Sequence, residues 1–157
     1  MFRVDGQRFA LPLAVVERVL RAVEVTPLPN APSIVLGAID LHGRILPVLN
    51  VRRRFGLPDR DLRPEHALLV AHTGQRAVVL TIDEAEGVVQ ASEEMAINAA
   101  QIVPGLEQFS GVLKTTDGLI LIHDPETFLS FDETRALHDA LEPATRRVTA
   151  ARSIAPR

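Results

Sequence analysis

Short apolar runs separated by glycine, proline and polar residues dominate the chain. Three pairs of runs, within residues 2–11, 67–82 and 111–122, are joined by turn residues and predict antiparallel hairpins. Two more runs, at 34–39 and 45–51, flank a turn in which Gly43 needs an unusual backbone conformation. The pattern predicts eight to ten short strands and an all-β barrel architecture.

Helical signals are concentrated near the end of the chain. Ser130 and Glu133 form a capping box ahead of apolar residues at helical spacing, and we expect Pro143 to end this helix. The predicted organisation is therefore a domain over residues 1–142 and a basic, flexible tail over residues 143–157. The segment 13–25 stays open between a short helical turn and a strand.

Composition and charge exclude several classes of protein. The 157 residues suffice for one domain with a hydrophobic core, and 46% of them are apolar. Cysteine is absent, which excludes disulfides, thiolate metal sites and cysteine nucleophiles. The net charge is −3, yet residues 143–157 contain four arginines and no acid, so the remainder is more acidic than the whole. An acidic body with six Phe as its only aromatic residues argues against nucleic-acid binding.

No signal peptide or membrane span is visible, and a cytoplasmic location is expected.

Candidate chemistry is sparse. None of the five histidines has the spacing of a metal site, and no serine lies in a nucleophile motif, so we expect no cofactor, no metal and no catalysis. A small enzyme or metal-binding protein stays a distant alternative. It would require His42, His72 or His123 to converge with Asp83 or Asp124.

Two charged clusters each allow two interpretations. The run Arg52-Arg53-Arg54 is either a phosphate-binding patch or a set of salt-bridge partners. Asp83, Glu84 and Glu86 form either a solvated turn or a cation site, although EF-hand spacing is absent.

Four segments, in order, resemble the CheW-like family of bacterial chemotaxis adaptors. The most specific is Gly37–Arg52, which is similar to the family signature Gly-x-x-Asn-Leu-Arg-Gly-x-x-x-Pro-Val-x-Asp-Leu-Arg. The others are Phe2–Leu13, Val78–Val88 and Gly118–Ser130, so the resemblance covers about residues 2–142.

The resemblance implies both a fold and a function. The fold is two intertwined five-stranded barrels around a shared core, with a C-terminal helix. The function is a non-catalytic adaptor, monomeric when isolated, that couples chemoreceptors to a histidine kinase. The kinase's regulatory domain has the same fold and pairs with one barrel, while the receptor's helical-hairpin tip lies in an apolar groove between the barrels.

The resemblance also implies site residues. The receptor-facing positions fall on Leu13, Val16, Arg18, Val19, His42 and Val78. Ordinary core positions are an alternative for the four aliphatic ones. Residues that shape the backbone fall on Gly37, Gly43, Pro47 and Gly87.

Several positions depart from the family pattern. His42 replaces the signature arginine, Asp40 and Asn50 exchange the places of the signature Asn and Asp, and Arg18 stands where a glutamate is usual. His42 loses a permanent positive charge and a five-donor fork. These departures favour a dedicated receptor. They also leave open a stand-alone regulatory module of a non-flagellar pathway, such as pilus motility or second-messenger control.

Overall fold

The computed structural model describes residues 1–91, 96–97 and 108–154. Within these ranges the chain forms eleven strands and two α-helices. The strands are β1 (Phe2–Val4), β2 (Gln7–Ala10), β3 (Val16–Arg21), β4 (Val35–Leu41), β5 (Arg44–Leu49), β6 (Ala67–His72), β7 (Ala77–Ile82), β8 (Glu84–Ala85), β9 (Ala96–Ile97), β10 (Phe109–Thr115) and β11 (Gly118–His123). The helices are α1 (Val51–Phe55) and α2 (Phe131–Ile154), and 3-10 turns cover Leu13–Val15 and Pro125–Thr127.

The strands form two sheets that share the chain in an intertwined way. Sheet A has the order β8-β1-β2-β11-β10-β9, and sheet B has the order β3-β6-β7-β5-β4. The chain therefore begins in sheet A, builds the whole of sheet B, and returns to sheet A. The predicted all-β class with a C-terminal helix is confirmed. Sheet A has six strands rather than five, because the two-residue strands β8 and β9 extend its edges.

The predicted hairpins form where the turn residues indicated. The β1–β2 turn consists of Asp5 and Gly6, with φ of 53° and 77°, and the β4–β5 turn consists of His42 and Gly43, with φ of 52° and 84°. Two successive residues with positive φ match the twist of the flanking strands, which explains why glycine follows a turn-tolerant residue in both places. In the segment left open by the sequence, a 3-10 turn leads directly into β3.

The core continues from one sheet to the other. Alternate residues of β6 and β7, including Leu69, Val78 and Leu80, join Phe2, Phe9 and Phe109 of sheet A in one buried cluster, here called the shared core. The residues between them, such as Leu68 and Val79, fill a second cluster on the opposite face of sheet B. Because both faces of these strands are buried, their sequences are continuously apolar rather than alternating.

Two of the predicted backbone-shaping residues, Gly37 and Pro47, lie on the paired strands β4 and β5. An added Cβ on Gly37 would approach the backbone carbonyl carbon of Thr26 to 2.7 Å, so a side chain has no room there. Thr26 pairs with Ala38 through two backbone hydrogen bonds, which joins the β3–β4 connection to β4. Pro47 is buried in β5, directly before the parallel pairing with β7 begins at Val48.

The prediction that Pro143 ends the C-terminal helix is wrong, because α2 continues through it to Ile154. The capping box forms as predicted: the Ser130 N–H donates to Glu133 at 2.7 Å, and the Glu133 N–H donates to the Ser130 hydroxyl at 3.2 Å. Pro143 removes one backbone donor, while Leu137 and Leu141 anchor the preceding turns in the shared core. The boundary at 142 thus falls inside a helix. Flexibility of residues 143–157 stays a prediction, and 155–157 lie outside the described residues.

Candidate partner-binding groove

An apolar groove of about 190 Å³ lies between the two sheets. The side chains that line it belong to both sheets and to the connection between them. They are Met1, Phe2, Ala10 and Leu11 from the first hairpin, Leu13, Val16, Val19 and Leu69 from the sheet B side, and Ala85, Gly87, Val88 and Val89 from the connection.

A β-bulge in β3 directs two valines into this groove. Val16 pairs with Ala71 and Val19 pairs with Leu69, and the register shifts between these pairs at Glu17. Ala71 and Leu69 are two residues apart and share one face of β6, so the bulge brings Val16 and Val19 to that same face.

Large aliphatic side chains remain exposed around the groove. Leu13 is 62% exposed, Val19 45% and Val88 68%. Exposed aliphatic residues that cluster in one concave place indicate a protein-interaction surface more strongly than scattered ones do.

The structure separates the six receptor-facing positions that the resemblance implied. Leu13, Val16 and Val19 line the groove. Val78 is fully buried in the shared core, which favours the core alternative for this residue. The alternation of β7 places Val78 beneath the sheet B face that meets sheet A.

Arg18 and His42 are exposed outside the groove lining. Arg18 pairs with Val70 in β6 and lies on the face of β3 opposite to Val19. His42 is at the tip of the β4–β5 turn.

Glu17 is the centre of a charged cluster beside this turn. Arg44 donates two hydrogen bonds to the Glu17 carboxylate, at 2.8 and 3.2 Å, and the His72 Nε2 lies 2.7 Å from it. The hydrogen bonds from Arg44, with His72 acting in the same direction, hold the pKa of Glu17 below its ordinary value. The cluster connects β3 to its neighbour β6 through His72, and to β5, which is not adjacent to β3 in sheet B, through Arg44.

The exchanged signature residues have local structural roles. Asp40 accepts a hydrogen bond from the Gly43 N–H and so stabilises the β4–β5 turn. Asn50 caps α1 by accepting from the Arg52 N–H at 3.1 Å, and its amide donates to Asp59 at 2.7 Å. Both residues are therefore accounted for by the fold.

The arginine run forms internal ion pairs, which confirms the salt-bridge interpretation. Arg52 is buried and donates to both Asp83 oxygens at 2.7 and 2.8 Å and to Asp5 at 3.1 Å. Arg53 pairs with Asp59, and Arg54 pairs with Glu133.

The acidic cluster is neutralised by arginines. Burial alone would raise the pKa of Asp83, but the Arg52 guanidinium and the Asp5 N–H hold it below its ordinary value. Glu86 pairs with Arg3 and Arg8. Neither the solvated turn nor the cation site therefore describes Asp83 and Glu86.

The histidine and carboxylate groups of the enzyme alternative have other surroundings. The Asp124 side chain caps the 3-10 turn at Glu126, His72 contacts Glu17, and Asp83 contacts Arg52. His123 is fully buried and stacks on the Phe128 ring at 4.1 Å. Among the residues with described positions, no group of three His, Asp or Glu is arranged to hold a metal ion.

A second groove, of about 640 Å³, lies between α2 and the proline-rich loop that precedes β4. Its lining includes Leu28, Ile39, Ile45, Ala140 and Pro143. None of the six implied receptor-facing residues lines this larger groove.

Sequence reasoning missed much of the groove lining. Phe2, Leu69 and Val88 were not singled out, and they come from three distant parts of the chain. Val88 follows Gly87, whose φ of 110° turns the chain just after the short strand β8. A glycine before two valines was the only local signal for this position.

Comparisons with known proteins agree with this architecture. The family model of the CheW-like domain matches residues 1–133. The chemotaxis protein CheW of Rhizobium meliloti is 27% identical over 137 residues, which are 86% of this chain and 88% of that relative. The chemotaxis protein CheW of Thermotoga maritima is 29% identical over 122 residues, covering 78% of this chain and 80% of the relative.

A solved structure is also similar. The scaffolding protein TtCheW from Thermoanaerobacter tengcongensis superposes with a TM-score of 0.76 over 84% of this chain and 91% of that one, at 22% identity. At this identity the likeness supports the fold.

Among the helices described, none is both long and apolar enough to cross a membrane.

Proposed function

The chain belongs to the CheW-like family, and we propose that it is a non-catalytic cytoplasmic adaptor that couples chemoreceptors to a histidine kinase. The observation that carries the proposal is the apolar groove between the sheets, with three largely exposed aliphatic side chains at Leu13, Val19 and Val88. Two separate surfaces are needed for coupling: the groove for the receptor, and a barrel for the kinase.

The groove suits the tip of a receptor's helical hairpin. A helix that enters an apolar groove presents apolar residues three and four positions apart. Complete burial of an aliphatic side chain contributes about 1.5–3 kcal/mol, so the three exposed side chains supply enough driving force for a reversible contact. Leu13, Val19 and Val88, the exposed side chains of the groove, are all aliphatic, and the chain contains no tyrosine or tryptophan.

The kinase contact is made by one of the two barrels. A regulatory domain of the same fold presents similar barrels, and one barrel of each protein pairs with the other. The kinase domain therefore docks on one barrel, outside the groove that receives the receptor.

The test is a titration of the purified chain with two soluble partners: the cognate kinase's regulatory domain and a receptor's cytoplasmic hairpin. We expect saturable binding to each partner. Val88→Glu places a charge in the groove at a position that is 68% exposed. It should weaken hairpin binding at least about tenfold and leave kinase binding unchanged.

The matched control is Leu119→Glu. Leu119 is 59% exposed on β11 and does not line the groove. It should leave hairpin binding unchanged. Absence of binding to the kinase domain, or equal loss of hairpin binding in both variants, would contradict the proposal.

A second candidate function is a stand-alone regulatory module of a non-flagellar pathway. The departures at Arg18 and His42, both exposed, favour it because they change the charge that sheet B presents at its surface. The identity of the adjacent genes discriminates between the two functions, since an adaptor requires a kinase and receptors encoded nearby.

A further inference from the structure

We infer that Asp5, Arg52 and Asp83 form a positioning cluster that fixes sheet A relative to sheet B and so sets the shape of the groove. None of the three residues lines the groove. Their effect on a receptor would therefore be indirect, and that part of the inference rests on the proposed function.

The cluster joins three places in the chain that belong to different sheets. Asp5 is in the β1–β2 turn of sheet A, Arg52 is in α1 between β5 and β6 of sheet B, and Asp83 lies between β7 of sheet B and β8 of sheet A. The Arg52 side chain is 5% exposed and binds both carboxylates. The Asp5 N–H also donates to Asp83 at 2.8 Å, so each member contacts the other two.

Both segments held by the cluster continue into the groove walls. The Asp83 N–H donates to the Arg3 carbonyl at 2.9 Å, and the Glu86 N–H donates to the Met1 carbonyl at 2.9 Å. These bonds hold β1 next to residues 83–89, the segment after β7 that contributes Ala85 and Val88 to the groove lining. A displacement at Asp5 or Asp83 is thus passed along two short segments to the groove lining.

We expect the Asp5–Arg52–Asp83 cluster to fix the relative orientation of the two sheets more than it raises the free energy of unfolding. The charges of a buried ion pair lose hydration, so the pair contributes little more than apolar residues of similar volume would. The guanidinium is a rigid planar fork, so carboxylates bound to its two terminal nitrogens are held in a fixed relative orientation. In Arg52, Nη2 donates to both Asp83 oxygens and Nη1 donates to Asp5 across the sheet boundary.

The variant that weakens the contact of Arg52 with sheet A is Asp5→Asn, which removes the carboxylate charge that faces Arg52 and Arg60. Asn tolerates the positive φ of 53° at this turn position, and the Arg52–Asp83 pair remains. The matched control is Asp59→Asn, which removes a carboxylate from Arg53 and Asn50 within the connection between β5 and β6 of sheet B. Arg52→Lys is the second variant, and it replaces the fork with a single ammonium group.

The first measurement is independent of any receptor. Because the chain has no cysteine, spin labels can be placed on Arg21→Cys in sheet B and Lys114→Cys in sheet A, both exposed. Pulsed electron-spin distance measurements should give a broader or shifted distribution for Asp5→Asn and an unchanged one for Asp59→Asn. An unchanged distribution in both Asp5→Asn and Arg52→Lys overturns the inference.

The second measurement is the affinity for a soluble receptor hairpin, with folding checked by thermal unfolding. Asp5→Asn should weaken binding by about tenfold, and Asp59→Asn should not. Equal affinity despite an altered distance distribution overturns the link between the cluster and binding. If the unmodified chain does not bind the hairpin, the proposed receptor function fails, while the distance measurement still decides whether the cluster positions the sheets.

Discussion

Gly37→Ala tests the closure of sheet B by a single methyl group. A Cβ at this position would lie 2.7 Å from the Thr26 carbonyl carbon, 2.9 Å from a methyl carbon of Val25, and closer still to the Thr26 oxygen. The first obstacle is backbone, which no rotamer change can move. The connection between β3 and β4 must therefore shift away from β4.

The magnitude follows from what that shift breaks. Thr26 and Ala38 exchange two backbone hydrogen bonds, of 3.0 and 2.8 Å, each contributing about 0.5–1.5 kcal/mol. Overpacking a closed site costs a further 1–3 kcal/mol or so. We therefore expect a loss of about 2–6 kcal/mol in the free energy of unfolding, and a fall in Tm of roughly 4–24 °C for a chain of this size.

The assay is urea denaturation together with a thermal melt, both followed by far-UV circular dichroism. The control is Gly74→Ala, where the nearest atoms to an added Cβ belong to the flexible Glu126 side chain at 3.3 Å. This control should change stability by less than about 1 kcal/mol. A loss in Gly37→Ala as small as in the control would refute the close approach of Thr26 to β4.

Three further predictions concern the core and the C-terminal helix. Burial lowers the pKa of His123 to about 4 from about 6.5 in the unfolded chain, so stability should fall by about 3 kcal/mol as the pH drops from 6.5 to 4. His123→Phe should remove that share of the acid sensitivity in pH-dependent urea melts, whereas an identical acid response would contradict it. Leu137→Ala should cost about 2–5 kcal/mol because Leu137 is fully buried, and a near-neutral effect on urea unfolding would show that α2 does not pack there. Pro143→Ala should raise helix content and Tm, since it restores the N–H donor to the Asp139 carbonyl; lower ellipticity would argue against a continuous α2.

Local signals explain what could be predicted from the sequence. Asp5-Gly6 and His42-Gly43 specify two-residue turns by themselves, and Ser130 with Glu133 specifies a helix start. Each of these devices depends on residues no more than three positions apart, so tertiary structure adds little to them.

The failures arise where tertiary structure decides. Val19 and Val78 are both valines in β-strands, yet one is 45% exposed and the other fully buried. β7 is covered on both faces, and no alternation in its sequence reveals which face meets sheet A. Arg52 finds its partners 31 and 47 residues away, at distances along the chain that no local motif encodes. Pro143 has a strong local preference to end a helix, which the anchored turns before it override.

Binding of a receptor hairpin in the groove between the sheets can be tested by site-directed cross-linking. The cysteine-free chain allows single substitutions Val19→Cys, Val88→Cys and Leu119→Cys, all at exposed positions. Each variant is mixed with a soluble receptor hairpin that carries one cysteine near its tip, and disulfide formation is measured under mild oxidation. We expect rapid cross-linking from residues 19 and 88 and only background from residue 119. Cross-linking that is equal at all three positions, or strongest from residue 119, would contradict it.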